Sequence, residues 1–317
     1  MLNDADVQAA AARIAGKAVR TPLLRSDALD RRTGARIFLK AECLQITGSF
    51  KFRGAYNRLS AMSESERKAG VVAFSSGNHA QGIARAARML GMPATIVMPA
   101  DAPRVKVDRT RADGAEIVSY DRLSESREEI ARDLAAARGA VLVPSFDDPF
   151  IIAGQGTAGM EIVEQLSALG EEADLAVVCC GGGGLSSGIA LAMPRAEIVL
   201  TEPEGYGDAG ESMRTGRIER VTNPGPTLCD ALQTLEIAPS TFDILASRGA
   251  RGVTVSDADA LAAMRFAFEE LKLVVEPGGA AALAAILAGK LSVEGRTVAV
   301  TLSGGNVDAA IFAKCMA

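Results

Sequence analysis

The octapeptide GSFKFRGA, residues 48–55, sets one lysine, Lys51, between two aromatic residues, Phe50 and Phe52. An amine held against aromatic rings loses water, and desolvation disfavours its ammonium form. The free amine is then a nucleophile that can form an imine with a carbonyl carbon. Phe52, Tyr56, Leu59 and Met62 follow at helical spacing, so Lys51 is expected in a short polar turn leading into a helix. Taken alone, the same residues also describe a surface lysine beside two core aromatics.

Two glycine-rich segments lie further along. CCGGGGLSSG, residues 179–188, follows the apolar run Leu175 to Cys180, expected as a buried strand, and precedes a helical stretch, Ile189 to Met193. Gly181, Gly182, Gly183 and Gly184 can turn successive backbone N–H groups toward one point. The next helix N-terminus adds partial positive charge, which makes a phosphate cup without a cationic side chain. TLSGGN, residues 301–306, follows a strand-like run and sets Ser303 where a hydroxyl can meet a ring nitrogen. A dinucleotide site is the competing reading of the first segment. Gly181, Gly183 and Ser186 approximate G-x-G-x-x-G, and Glu202 lies about 20 residues on, where a ribose-binding acid sits. That reading lacks the third glycine and leaves Lys51 unexplained.

The single histidine, His79, lies in SSGNHA and excludes a multi-histidine metal site. With Ser75, Ser76 and Asn78 it stands at the start of the expected helix Asn78–Leu90, where backbone N–H groups favour an anion such as a carboxylate. The alternative is a loop histidine with Ser75 or Ser76 as the helix cap. Strand-like runs at Val71–Phe74, Ala94–Met98, Glu116–Tyr120, Val141–Pro144, Leu175–Cys180, Ile198–Glu202 and Val298–Leu302 each precede a helical pattern. Such alternation argues for an α/β fold with parallel sheets and helices on both faces.

Five segments taken in order resemble the fold type II pyridoxal phosphate enzymes of the serine/threonine dehydratase and serine racemase family. They are GSFKFRGA, FSSGNHAQG at 74–82, GQGTAGMEI at 154–162, GGGGL at 181–185 and LSGGN at 302–306. The resemblance runs from about Thr21 to Asn306. It implies a tryptophan synthase β-like architecture of two open parallel-sheet lobes. Residues 1–60 and 148–317 would form a large cofactor domain, with 61–147 inserted as a small lobe.

The resemblance also implies roles. Lys51 would anchor pyridoxal 5'-phosphate covalently and act as the base at the substrate α-carbon. Phe50 would pack on the cofactor ring, Asn78 would meet its phenolic oxygen, and Ser303 its pyridine nitrogen. Gly181 to Gly184 and Leu185 would hold the phosphate. Ser75, Ser76, Asn78 and His79 would cradle the substrate carboxylate. Ser76 stands where relatives of serine racemase and hydroxyaspartate dehydratase move a proton on the face opposite the lysine. Arg127 matches an arginine near the substrate side chain; the bland alternative is a pair with Glu128 or Asp121 on a solvated helix. Glu202, the Tyr206 carbonyl and Asp208 match a divalent-cation loop suited to Mg²⁺, or to Mn²⁺ or Ca²⁺. There the alternative is a strand end and a helix cap, and Tyr206 and Gly207 depart from the commoner residues.

The implied activity is elimination of water from a small-molecule substrate, a 3-hydroxy amino acid such as serine, threonine or 3-hydroxyaspartate. The products are a 2-oxo acid and ammonia. Serine or aspartate racemisation with side dehydration is the alternative, and β-replacement is a third. The resemblance also implies a homodimer without the regulatory C-terminal domain of biosynthetic threonine dehydratases.

Composition agrees with a soluble two-domain enzyme: 317 residues, 48% hydrophobic and 23% charged. A net charge of −5 gives no footprint for nucleic acid. The basic cluster Arg104, Lys106, Arg109 and Arg111 is expected as a solvated helix face. The opening residues MLNDADVQ lack the charged and apolar regions expected of a signal peptide, and the longest Ala-rich apolar stretch, 278–289, is too short to span a membrane. Five cysteines without a paired framework suit a reducing cytoplasm, and Cys179 and Cys180 are expected as buried strand residues.

Overall fold

Runs of β-branched and aliphatic residues, each bounded by a helix, close into two separate sheets in the computed structural model, which describes residues 2–75, 77–102, 104–121 and 123–317. The strands are β1 (Leu23–Arg25), β2 (Arg36–Lys40), β3 (Val71–Phe74), β4 (Ala94–Pro99), β5 (Glu116–Tyr120), β6 (Val141–Leu142), β7 (Leu175–Cys179), β8 (Glu197–Pro203), β9 (Arg251–Val255) and β10 (Thr297–Thr301). The larger sheet has the order β1-β2-β10-β7-β8-β9 and the smaller β5-β4-β3-β6. Pairing is parallel throughout except at β1, which runs antiparallel to β2 at one edge and was not foreseen from the pattern of the chain. β6 is shorter than the expected Val141–Pro144. Proline has no N–H for a ladder, so pairing ends with Val143 donating to the Val72 carbonyl at 2.9 Å.

Small residues bring the larger sheet and its helices close to the future site. The helix Pro277–Leu287 is buried along Pro277 to Ile286, and its alanines let it lie directly against the strands. At its start the Gly279 carbonyl accepts from the Ser303 N–H at 3.1 Å, which fixes the strand end after β10. The helices Lys51–Ser60 and Pro149–Ser167 meet at Gly54 and Gly154, where a Cβ on Gly154 would strike the Gly54 Cα.

A buried ion network holds the helix Lys51–Ser60 in place. Arg53, which is fully buried, donates to both Glu42 oxygens at 2.7 and 2.8 Å and to both Glu161 oxygens at 2.7 and 2.8 Å. Lys40 is equally buried and donates to Glu161, Gln165 and the Thr21 carbonyl at 2.6, 2.8 and 2.8 Å. Every cation in this network faces acceptors, as a buried charge requires. Phe52 points the other way, into the core of the smaller sheet with Tyr56, Leu59 and Ile83. Among the described residues no helix is long and apolar enough to cross a membrane.

Candidate active site

Lys51 is the first residue of its helix rather than part of a preceding turn. Its Nζ donates to the Ser145 carbonyl at 2.8 Å and lies 5.2 Å from the centre of the Phe50 ring. Burial lowers its pKa from 10.5 to about 8, the largest cause being desolvation. Phe52 is not the agent, since it is turned into the smaller core. The walls of a cavity of about 700 Å³ desolvate the amine instead. Phe50, Ser75, Asn78, His79, Arg127, Gly181, Gly182, Gly183, Gly184, Leu185, Tyr206 and Ser303 line the same cavity. It opens between the carboxyl ends of the two sheets, where ligands bind in open parallel folds.

The glycine segment turns sharply into a helix that begins at Gly184, earlier than the expected Ile189. Gly183 sits in the left-handed region at φ 87°, a conformation that suits glycine. The first intrahelical bond runs from Ser187 N–H to the Gly183 carbonyl at 2.8 Å. The N–H groups ahead of it are those a helix start leaves for an outside acceptor. A Cβ on Gly182 would strike the Phe146 ring, and one on Gly183 would come within 2.8 Å of Thr241. The cradle therefore exists only with glycine at these positions. Ser303 is 4% exposed and lies against the Cys179 thiol.

The helix Asn78–Leu90 is capped by Gly77 with no side-chain cap bond, so Ser75 is not its cap. The Ser75 hydroxyl instead accepts from Gly77 N–H at 3.1 Å. His79 is 2% exposed, with its Nε2 at 3.2 Å from the Val143 carbonyl. Burial first, then the neighbouring Lys51 charge, pushes its pKa down to about 3. A neutral imidazole brings no positive charge to a carboxylate, so in this cradle the helix N-terminus is the electrostatic element. Ser76 lies outside the described residues.

Arg127 starts the helix Arg127–Arg138, stacks at 5.5 Å over Phe74 and pairs with Glu128 at 2.8 Å. Both the pair and the cavity position are thus real features of this residue. The basic cluster is only partly a solvated face. Lys106 reaches across the cleft to Asp230 at 2.6 Å with its side chain 12% exposed, and Arg109 donates to Asn306 at 3.1 Å.

Glu202 and Asp208 lie together beneath the turn after β8. The Glu202 oxygens accept from Ala209 and Gly210 N–H at 2.8 Å each, so it is Glu202 that caps the helix Asp208–Thr215, a place the alternative reading gave to Asp208. Glu202 is 1% exposed, which takes it away from any ribose. Burial raises its pKa to about 8 and that of Asp208 to about 7. The Asp208 Oδ2 is buried without a partner. An unpartnered Asp208 oxygen beside a second carboxyl of raised pKa is a donor set that fits a divalent cation. Among the described residues there is no group of three or more His, Cys, Asp or Glu side chains that could hold a metal. An ion here would rely on these two carboxyls, backbone carbonyls and water.

Sequence reasoning missed Glu276, Ser145, Phe146 and Asp230, all of which line the cavity. Glu276 had a signal: it is the only charged residue in the apolar run Leu273 to Leu287. Ser145 and Phe146 sit in a loop and Asp230 starts a short 3-10 helix, and the position of both segments depends on the packing of the two sheets.

These features match those of known proteins. The sequence profile of the pyridoxal-phosphate dependent enzyme family matches residues 14–304. The L-threo-3-hydroxyaspartate ammonia-lyase of a Pseudomonas species is 49% identical over 315 residues, 98% of this chain and 97% of that protein. The solved structure of a T.th. threonine deaminase superposes with a TM-score of 0.89 at 45% identity, covering 96% of this chain and 98% of that one. Maize serine racemase superposes with a TM-score of 0.93 at 35% identity, covering 99% and 97%. The chain belongs to the pyridoxal-phosphate dependent enzyme family, within its fold type II serine/threonine dehydratase-like group. It is a pyridoxal-phosphate dependent enzyme of the ammonia-lyase kind.

Proposed function

We propose that the enzyme removes water from a 3-hydroxy amino acid, with 3-hydroxyaspartate preferred, to give a 2-oxo acid and ammonia. The observation that carries this reading is the desolvated Lys51 amine in one cavity with the glycine cradle and Ser303. Bound pyridoxal phosphate would supply an electron sink for the carbanion formed when the α-proton leaves. Gly181 to Gly184 and Leu185 would hold its phosphate through backbone N–H groups, with Phe50 against the ring and Ser303 at the ring nitrogen. A serine hydroxyl does not hold that nitrogen protonated as a carboxylate would. Weaker electron withdrawal favours loss of the β-hydroxyl over other fates.

The chain's own residues would then divide the work. Lys51 would anchor the cofactor and, once released from it, take the α-proton; its lowered pKa keeps a base available near neutral pH. The start of the helix Asn78–Leu90, with Ser75, Asn78 and His79, would hold the α-carboxylate. Arg127 would pair with a β-carboxylate, a charge-assisted contact stronger than one to a neutral hydroxyl. Arg127 would exchange Glu128 for the substrate to do so. The 49% identity to a hydroxyaspartate ammonia-lyase supports this choice of substrate.

Racemisation is the second reading, and Ser76 in the sequence favours it as a proton donor on the opposite face. One panel separates the two. Stereoisomers of 3-hydroxyaspartate, serine and threonine are scored for 2-oxo acid release and for α-deuterium exchange. Release of keto acid fastest from a 3-hydroxyaspartate isomer supports the lyase reading. Exchange without release would replace it by a racemase.

Mg²⁺ or a similar ion at Glu202 and Asp208, with the Tyr206 carbonyl, belongs to the same proposal. Chelation should lower thermal stability and added Mg²⁺ should restore it, because a ligand of the folded state stabilises it. No response to a chelator would remove the ion from the reading. A cytoplasmic homodimer completes it. The five buried free cysteines and the exposed Leu44 and Val274, on segments that meet near Gly305, support it. Sedimentation at monomer mass would rule out the dimer.

A further inference from the structure

Glu276 has no role in the chemistry above, yet it is the most deeply placed carboxyl of the cavity. It is 2% exposed and lines the cavity beside Asn78 and Ser303. It directly precedes the helix Pro277–Leu287 without capping it through its side chain. Its backbone N–H donates to the Gly304 carbonyl at 3.0 Å, and its Oε1 packs so closely over Gly304 that a Cβ there would collide with it. The middle of the LSGGN segment is therefore glycine because this carboxyl lies on it.

That oxygen accepts from Asn78 Nδ2 at 2.5 Å. On the other side of the Asn78 amide, Oδ1 accepts from Asn306 Nδ2 at 2.8 Å. Asn306 Nδ2 also donates to the Thr47 carbonyl at 2.7 Å. A backbone carbonyl only accepts, so the Asn306 amide has one possible orientation. Its NH₂ lies toward Thr47 and Asn78, and Asn78 must answer with its oxygen. The NH₂ of Asn78 is then turned toward Glu276, with one N–H spent there and one left over.

We propose that Glu276 is a positioning residue for the cofactor, fixing the Asn78 amide so that it presents N–H rather than C=O to the cofactor's phenolic oxygen. The inference rests on the assignment of the cavity to pyridoxal phosphate. Without an acceptor at 276 the amide loses one of the two anchors that set its direction. A flipped amide would put oxygen against oxygen. Burial, followed by the nearby Asp230, raises the Glu276 pKa to about 8. At neutral pH the group is largely the neutral acid, so glutamine reproduces both its shape and its accepting oxygen.

The test titrates cofactor-free enzyme with pyridoxal phosphate and reads the Kd and the visible absorption maximum of the bound form. Glu276→Ala is expected to raise Kd about tenfold, the scale of one hydrogen bond to a buried group, and to shift the absorption maximum. Glu276→Leu, which fills the volume but accepts nothing, is read alongside in case the smaller side chain does not fold. Glu276→Gln is expected to stay within about threefold of wild type. In a double-mutant cycle, Asn78→Ala with Glu276→Ala should bind no more weakly than Asn78→Ala alone. A wild-type Kd and spectrum in Glu276→Ala or Glu276→Leu would overturn the proposal, as would a glutamine variant as weak as alanine or multiplied losses in the double variant. If wild type bound no pyridoxal phosphate at all, the cofactor assignment itself would fall instead.

Discussion

Lys40, fully buried, and Lys51, part-buried at the cavity wall, both have lowered pKa values, and they do opposite things. Lys40 is surrounded by three acceptors, one of them the Glu161 carboxylate. Among the described residues Lys51 meets a single backbone carbonyl and no carboxylate, and its pKa falls to about 8. The carboxyls repeat the contrast. Glu42, held by Arg53, lies below the usual carboxylate range despite complete burial, whereas Glu276 rises to about 8. Compensated burial makes a charged strut; uncompensated burial makes a group that can change its charge or its partner. The strut and the reactive amine are two residues apart, at Arg53 and Lys51, so one helix carries both.

The sharpest way to break this comparison is to remove each cation in turn. Lys51→Ala should lower kcat by several orders of magnitude, since one residue is both anchor and base, while the chain keeps its fold by circular dichroism. A variant that turns over at a tenth of the wild-type rate would mean that another group takes the α-proton. Arg53→Met should do the reverse. It leaves Glu42 buried and unpaired, and should cost about 3–5 kcal/mol in urea unfolding. A loss below about 1 kcal/mol would show that water reaches the network.

The third test sharpens the electrostatics. The folded pKa of Lys51 is about 8 against 10.5 for an ordinary lysine, so between these values the unfolded chain binds more protons. Stability then rises with pH. For cofactor-free protein, the deficit of wild type relative to Lys51→Met should be constant below pH 8 and should close by about pH 10.5. A difference that stays flat over this range would place the amine in solvent. The smallest effect is expected at the rim. Arg127→Ala should raise KM for 3-hydroxyaspartate about tenfold and leave serine nearly unchanged, because only the dicarboxylate meets the guanidinium. Equal changes for both substrates would return Arg127 to its surface pair with Glu128.

Much of this site was legible in the chain because its parts are local. A lysine beside Phe50, a run of four glycines after a strand, and Ser303 at a strand end are all patterns of residues adjacent in sequence, although Phe146 and Thr241, which forbid a Cβ there, come from distant segments. Alternating strands and helices gave the parallel sheets for the same reason, since period and chain punctuation are local properties. The antiparallel β1 was missed because three residues carry too little pattern. The strand ladder set the end of β6 at Leu142, two residues earlier than the apolar run suggested.

Charge states belonged to the tertiary structure. The sequence set which groups could titrate, but whether Lys106 met water or Asp230 across the cleft depended on how the two sheets came together. His79 read as part of a carboxylate cradle at a helix start and lies there as a buried ring held to the Val143 carbonyl, its pKa lowered by burial. Glu276 gains its meaning from Asn78, 198 residues away in the chain. A pKa is set by the solvent and partners a group loses or finds on folding. The sequence therefore determined the list of reactive groups and their local geometry, and long-range packing decided which of them were left uncompensated.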